Sequence, residues 1–234
     1  MLPEQEESWR AIFEIYEALS HGWILIGGQS VFLHAVERGA TAPRPTKDAD
    51  FALDIRAYPH HLKAFTTALL GLGFESAGQS PAGHQHRWIR GNAVVDVLIP
   101  RYTGERSESR LGATGGTTLA APAVQQAVEQ AEVVEVDAGA SSGKVNRPTL
   151  MAALVGKAGA LAIIDDPGRE RHVTDFLTLA SVVTARDLRG YKYQPAARAH
   201  MANMLGKLVT EPKWVDMMPE AGPGVERLRM SLGS

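Results

Sequence analysis

Between Trp23 and Leu53 the chain reads WILIGGQSVFLHAVERGATAPRPTKDADFAL. An apolar run ends in Gly-Gly-x-Ser, a short helical pattern follows, and Asp48-x-Asp50 then enters a second apolar run. Side chains alternate along a strand, so Asp48 and Asp50 face the same way. Two adjacent carboxylates repel unless something positive sits between them. A divalent metal with hard oxygen ligands is the usual answer. A glycine turn opening a helix offers backbone N–H groups that suit phosphate. Together these features point to phosphoryl or nucleotidyl transfer on a mixed α/β core.

Bulk properties narrow the setting. The 234 residues suffice for one large domain or two small ones. Cysteine is absent, which excludes disulfides, thiolate zinc sites and a cysteine nucleophile. The start, MLPEQEESWR, is acidic and polar, unlike a signal peptide. No apolar run is long enough to span a bilayer, so a cytoplasmic protein without a membrane partner is expected. The formal charge of −2 gives no general attraction to nucleic acid. Residues 186–213 are locally basic, with Arg186, Arg189, Lys192, Arg198, Lys207 and Lys213 against Asp187 and Glu211. That stretch is either a polyanion-facing surface or a solvated helix face.

Periodicity predicts a helix over Ser8 to Leu19 capped by Ser8, a buried strand over Trp23 to Ile26, and a helix over Ser30 to Glu37. A loop over Gly39 to Lys47 leads to a strand over Ala49 to Ile55 and a helix over Tyr58 to Leu72. Strands over His86 to Ile89 and Ala93 to Ile99 flank Gly91-Asn92, a hairpin signal. Residues 103–121, rich in Gly, Thr and Ser, read as a mobile loop. A short helix over Ala123 to Ala131, a strand over Val133 to Val136 and a loop over Gly139 to Gly143 follow. Helices are then predicted over Thr149 to Ile164, Val173 to Ala185 and Ala196 to Val209, with an irregular and then helical tail. The expected division is a mixed core over 1–146 and a helical part over 147–234.

A third carboxylate, Asp96, interrupts the apolar run Val94-Val95-Asp96-Val97-Leu98-Ile99. A charge inside an apolar strand requires a partner, and a metal shared with Asp48 and Asp50 would be one. The succession of Gly-Gly-x-Ser, Asp-x-Asp and an isolated strand Asp resembles the nucleotidyltransferase superfamily typified by DNA polymerase β. The spacer between Gly28 and Asp48 is longer than in many compact members, and a loop insertion over Arg38 to Pro45 would absorb it. The resemblance implies an α+β fold with a polymerase β-like core and a C-terminal helical half. It also implies a nucleoside triphosphate substrate and two Mg2+ ions held by Asp48, Asp50 and Asp96.

Lys157, in LMAALVGKAGALAII, and Asp175, in HVTDFLTLASVV, lie at the edges of apolar helical stripes, a placement that would let both reach a cleft. A lysine followed by a helical aspartate after such a triad is similar to the AbiEii/MenT-type toxin nucleotidyltransferases of bacterial toxin–antitoxin systems. By that likeness Lys157 is assigned to nucleotide phosphates and Asp175 to orienting the lysine or the acceptor. The same likeness implies a tRNA 3′ end as acceptor and a cognate antitoxin. Gly27, Gly28 and Ser30 are expected at phosphate oxygens. Arg44 either contacts the triphosphate or is an ordinary loop arginine, and Thr46 either bonds phosphate or caps the loop. Arg169 and Arg171 meet phosphate or acceptor RNA, or pair with Asp165, Asp166 and Glu170. His34 is expected to be structural, and neither His60-His61 nor His84-x-His86 has the spacing of a zinc site. Two other readings fit the same residues: a small-molecule nucleotidyltransferase of the aminoglycoside-modifying type, and a catalytically silent nucleotide-binding module.

Overall fold

The computed structural model describes residues 3–41, 47–101, 104–163 and 168–233. The chain divides into two compact units, Met1–Gln29 with Thr46–Pro148, and Ser30–Pro45 with Thr149–Ser234. The first unit opens with helix α1 (Pro3–Ala18) and strand β1 (Trp23–Ile26). Helix α2 (Gly27–Glu37) begins there and continues into the second unit. Strand β2 (Asp48–Leu53), helix α3 (His61–Gly71) and strands β3 (Glu75–Ser76), β4 (Arg87–Arg90) and β5 (Ala93–Pro100) follow. Next come α4 (Glu105–Glu108), β6 (Leu119–Ala121), α5 (Val124–Glu129), β7 (Ala131–Asp137) and β8 (Ser142–Pro148).

The main sheet has the order β1-β2-β5-β4-β3, with β6 also pairing β5. Strands β1 and β2 are antiparallel, whereas β2 and β5 are parallel. Parallel neighbours need a long crossover, and the segment carrying α3 is part of it. On one sheet face Phe51 stacks edge-on to Trp23 at 5.1 Å and tilts against Phe65 of α3 at 5.3 Å. All three are at most 2% exposed, so they anchor the sheet to α3. On the other face Ile24 and Ala52 pack on Val124, Ala127 and Val128 of α5. Along β2 this second face runs from Ala52 directly to Asp50 and Asp48.

Several elements differ from the sequence expectation. Helix α1 starts at Pro3, not Ser8. Proline fits the first helical turn, and Glu6 and Glu7 favour the positive end of the dipole. Ser8 is buried inside the helix, and its hydroxyl donates to the Lys47 carbonyl. The stretch read as a mobile loop over 103–121 holds α4 and β6. Strand β5 outruns β4, so its end takes Leu119–Ala121 as a replacement partner. Ala113 N donates to Thr66 Oγ1 at 2.8 Å, which ties the middle of that stretch to α3. Strand β8 extends over part of the expected loop, in register with β7. Its sequence SGKVNRP lacks a β-branched run, so propensity conceals it. Partners hold its buried polar groups: Arg147 Nε donates to Glu132 at 2.9 Å, and Asn146 Nδ2 to the Ser20 carbonyl at 3.0 Å.

The second unit contains α6 (Leu150–Ala160), α7 (Arg169–Ser181), α8 (Ala185–Leu188), α9 (Pro195–Thr210), α10 (Lys213–Asp216) and α11 (Gly222–Gly233). Its core includes Leu154, Phe176, Leu179, Met201, Met204 and Leu228, each fully buried. Helix α11 runs backbone-close to α7: a Cβ on Gly224 would stand 1.7 Å from the Ala180 carbonyl oxygen. Among the described residues no helix is long and apolar enough to cross a membrane.

Arg38, just beyond α2, forms a two-pronged pair with Asp187 at 2.8 Å per bond. Thr184 adds its N–H and hydroxyl to the same carboxylate, closing the capping box of α8. Burial pushes the Asp187 carboxyl up, but these bonds and the Arg38 charge outweigh it and bring it from 3.8 down to about 2. A depressed carboxyl stabilises the fold above its unfolded pKa and loses that contribution as pH falls toward the folded one. Urea unfolding between pH 5 and pH 2 is therefore expected to be less acid-sensitive in Asp187→Asn, by about 2 kcal/mol across the window. Equal acid slopes for the two proteins would remove this pair from the account.

Candidate functional site

The register of two strands assembles the three sequence-selected aspartates in the first unit. Asp50 on β2 lies directly beside Asp96 on β5, and Asp48 lies beside Val94. Paired residues share a sheet face, as do Asp48 and Asp50 by alternation. All three carboxylates therefore stand on one face of two adjacent parallel strands. Asp48 is half-exposed, whereas the Asp96 side chain retains 12% of its exposure.

A positive charge is already present. Arg87 on β4 is the register partner of Asp96. Its Nε donates to Asp96 Oδ1 at 2.9 Å and its Nη2 to Oδ2 at 2.7 Å. The same Nη2 stands 3.6 Å from Asp48 Oδ2. The bond to Asp96 is the main reason the guanidinium is held even more firmly protonated than usual. Burial opposes this, and the charges of Asp96, Asp48 and Asp50 add to it. Sequence reasoning did not select Arg87, although a local signal for it exists. A two-residue turn at Gly91-Asn92 pairs Arg90 with Ala93, and counting outward pairs Arg87 with Asp96.

The glycine turn meets the carboxylates at Gly27. Its φ is +69°, and a Cβ there would lie 1.7 Å from Asp50 Oδ2. The position thus requires glycine twice over, for its backbone conformation and for the close approach of Asp50. Helix α2 begins at Gly27 itself, earlier than the expected Ser30, with Gly28 second in the helix. Ser30 is 2% exposed, and its hydroxyl has no hydrogen-bond partner among the described residues. Arg44 and Thr46 lie outside the described residues.

Three carboxylates in register are the hard oxygen donors that Mg2+ takes, and the face needs positive charge. In donor chemistry, and in sharing one sheet face, these residues suit the metal. Among the described residues no three such groups are drawn together closely enough to hold an ion as they stand. Arg87 spans Asp96 and Asp48 instead.

In the second unit Lys157 of α6 and Asp175 of α7 meet at 2.7 Å, Nζ to Oδ2. Their side chains are 11% and 3% exposed, so this is a buried ion pair. Asp175 was expected at the edge of its helix's apolar stripe; it lies inside it, flanked by buried Val173, Phe176 and Leu179. The charge is tolerated there because α6 delivers its lysine to it. Arg169 Nη2 donates to the Leu161 carbonyl at 2.7 Å, closing the end of α6. His34 is buried, His61 bonds the His21 carbonyl at 2.8 Å, and His84 bonds the Thr117 hydroxyl at 2.9 Å. A cleft of about 600 Å³ beside the β7–β8 hairpin, lined by Tyr16, Glu17, Glu135, Asp137 and Lys144, shares no residue with the carboxylate face.

No protein-family model matches the chain, and no curated protein matches it in sequence. Solved structures do. An antigenic nucleotidyltransferase-like protein from Paracoccidioides brasiliensis matches over 95% of this chain and 94% of its own, at 12% identity and a TM-score of 0.53. The antibiotic-resistance factor ANT(2'')-Ia matches over 91% of this chain and 99% of its own, at 14% identity and a TM-score of 0.47. The chain has the mixed α+β fold of a nucleotidyltransferase-like protein.

Proposed function

We propose that the protein is a metal-dependent nucleotidyltransferase that moves a nucleoside monophosphate from a triphosphate to an acceptor hydroxyl and releases pyrophosphate. The observation that carries this reading is the register placing Asp50 beside Asp96, with Asp48 on the same face. Asp48, Asp50 and Asp96 would hold two Mg2+ ions. Bound there, such ions supply Lewis acidity toward phosphate oxygens and ease deprotonation of the acceptor. Gly27 and Gly28 lend backbone N–H groups to phosphate, and the Ser30 hydroxyl, without a partner among the described residues, supports its assignment to a phosphate oxygen. Arg44 and Thr46 are assigned to the triphosphate on sequence grounds. Lys157 is assigned to nucleotide phosphates. Its 2.7 Å bond to Asp175 supports the orienting role given to that aspartate.

The proposed acceptor is RNA, with the tRNA 3′ end as the first candidate, in a toxin that has a cognate antitoxin. The basic stretch supports a polyanionic acceptor. Lys207 and Lys213 there pair with Glu211, while Arg186, Arg189 and Lys192 are exposed. The test is incubation with magnesium and each labelled nucleoside triphosphate, offered total tRNA or an aminoglycoside. Label on tRNA from one triphosphate is the expected outcome. Label on the aminoglycoside alone replaces the RNA acceptor with a small molecule. Neither transfer nor triphosphate binding would leave a silent module.

A further inference from the structure

We propose that Arg87 is an internal counter-cation of the carboxylate face, which a divalent metal must displace from Asp96 in order to bind. The inference rests on reading Asp48, Asp50 and Asp96 as a cation site. It goes further by making the affinity of that site depend on a fourth residue.

Three observations carry it. First, the guanidinium uses both oxygens of Asp96, at 2.9 and 2.7 Å. A metal needs at least one of those oxygens, and a two-pronged arginine bond directs N–H groups at both. Second, the same nitrogen approaches Asp48 at 3.6 Å, so one cation serves two carboxylates of the set. Third, Asp96 is 8% exposed and Arg87 is its hydrogen-bonded ionic partner. A nearly buried carboxylate without a positive partner is costly. Without metal, Arg87 therefore offsets part of the negative charge of the face and stabilises the sheet. With metal, the guanidinium becomes a like charge beside the incoming ion and has to swing away. Its side chain is 45% exposed, so it has solvent to move into.

This arrangement makes two measurable statements. Metal affinity is reduced by the strength of the Arg87–Asp96 bonds, and stability without metal is increased by them. In Arg87→Gln, Mn2+ binding measured calorimetrically on the full chain is expected to tighten about 10- to 100-fold, the scale of the one charge-assisted bond a metal has to displace. The melting temperature of that variant is expected to fall without metal and to rise more than the wild type's when Mn2+ is added. Arg87→Lys, which keeps the charge but loses the fork, is expected to bind Mn2+ with intermediate affinity. An independent readout needs no variant to bind. In wild-type protein the Arg87 Nε–H resonance, identified by its loss in Arg87→Lys, is expected to shift or broaden as diamagnetic Mg2+ is added.

The outcomes separate the two claims. Mn2+ binding that Asp50→Asn removes but Arg87→Gln leaves unchanged or weakens overturns the role of Arg87 and leaves the cation site standing. A Nε–H signal that stays fixed while Mg2+ saturates the site also overturns it. No Mn2+ binding in either protein overturns both.

Discussion

Asp50→Ala is expected to lower nucleotidyl transfer by on the order of a thousandfold or more while leaving the melting temperature nearly unchanged. Asp50 occupies the centre of the carboxylate face, beside Asp96 in register and two residues from Asp48. In the proposed function, removing it deletes a donor from the set that would concentrate positive charge at the transferring phosphoryl group. A loss of about 4 kcal/mol in transition-state stabilisation corresponds to a thousandfold in rate. Folding is affected little, because the substitution also relieves repulsion among carboxylates. Gly27→Ala reaches the same endpoint by another route. The added methyl group would fall 1.7 Å from Asp50 Oδ2, so the carboxylate has to turn away although it is chemically intact. The positive φ adds about 1–2 kcal/mol of backbone strain. Transfer assays beside thermal melts decide the matter. Asp50→Ala activity within tenfold of wild type would remove the aspartate from the site.

Asp175→Ala is expected to cost about 3–5 kcal/mol of unfolding free energy, the range for breaking a buried pair from one side. The Asp175 side chain is 3% exposed and that of Lys157 11% exposed, so the abandoned ammonium cannot simply rehydrate in place. Replacing both residues with apolar ones, Lys157→Met with Asp175→Leu, is expected to recover part of that stability, since the ammonium is then not stranded. Urea unfolding of the two single variants and the double variant forms a complete cycle. If Asp175→Ala costs less than about 1 kcal/mol, the pair behaves as an exposed one and the orienting role of Asp175 loses its support. If the double variant is stable but transfers no nucleotide, the pair matters for chemistry and not merely for packing.

The parts of the molecule that were legible in advance share a local cause. The common face of Asp48 and Asp50 follows from strand alternation alone, and the Gly91-Asn92 turn marks the β4–β5 hairpin. Even Arg87 opposite Asp96 follows from counting outward from that turn. Its meaning becomes visible only once Asp48 is seen 3.6 Å away. Strand β8 and the 103–121 stretch were obscured for the opposite reason. Their residues have weak intrinsic preferences, and they are held by partners elsewhere in the chain: β7 for β8, and the end of β5 for β6.

The sequence by itself determined which face each candidate carboxylate takes on its own strand, because that depends on spacing within a few residues. Tertiary structure decided which strand lies beside which. The parallel pairing of β2 with β5 joins segments separated by α3, β3 and β4, a long-range register that no local period encodes. The same holds for the Lys157–Asp175 bond. Helical spacing leads one to expect each residue at the rim of its own stripe, whereas the packing of α6 on α7 buries them against each other, Asp175 inside its stripe.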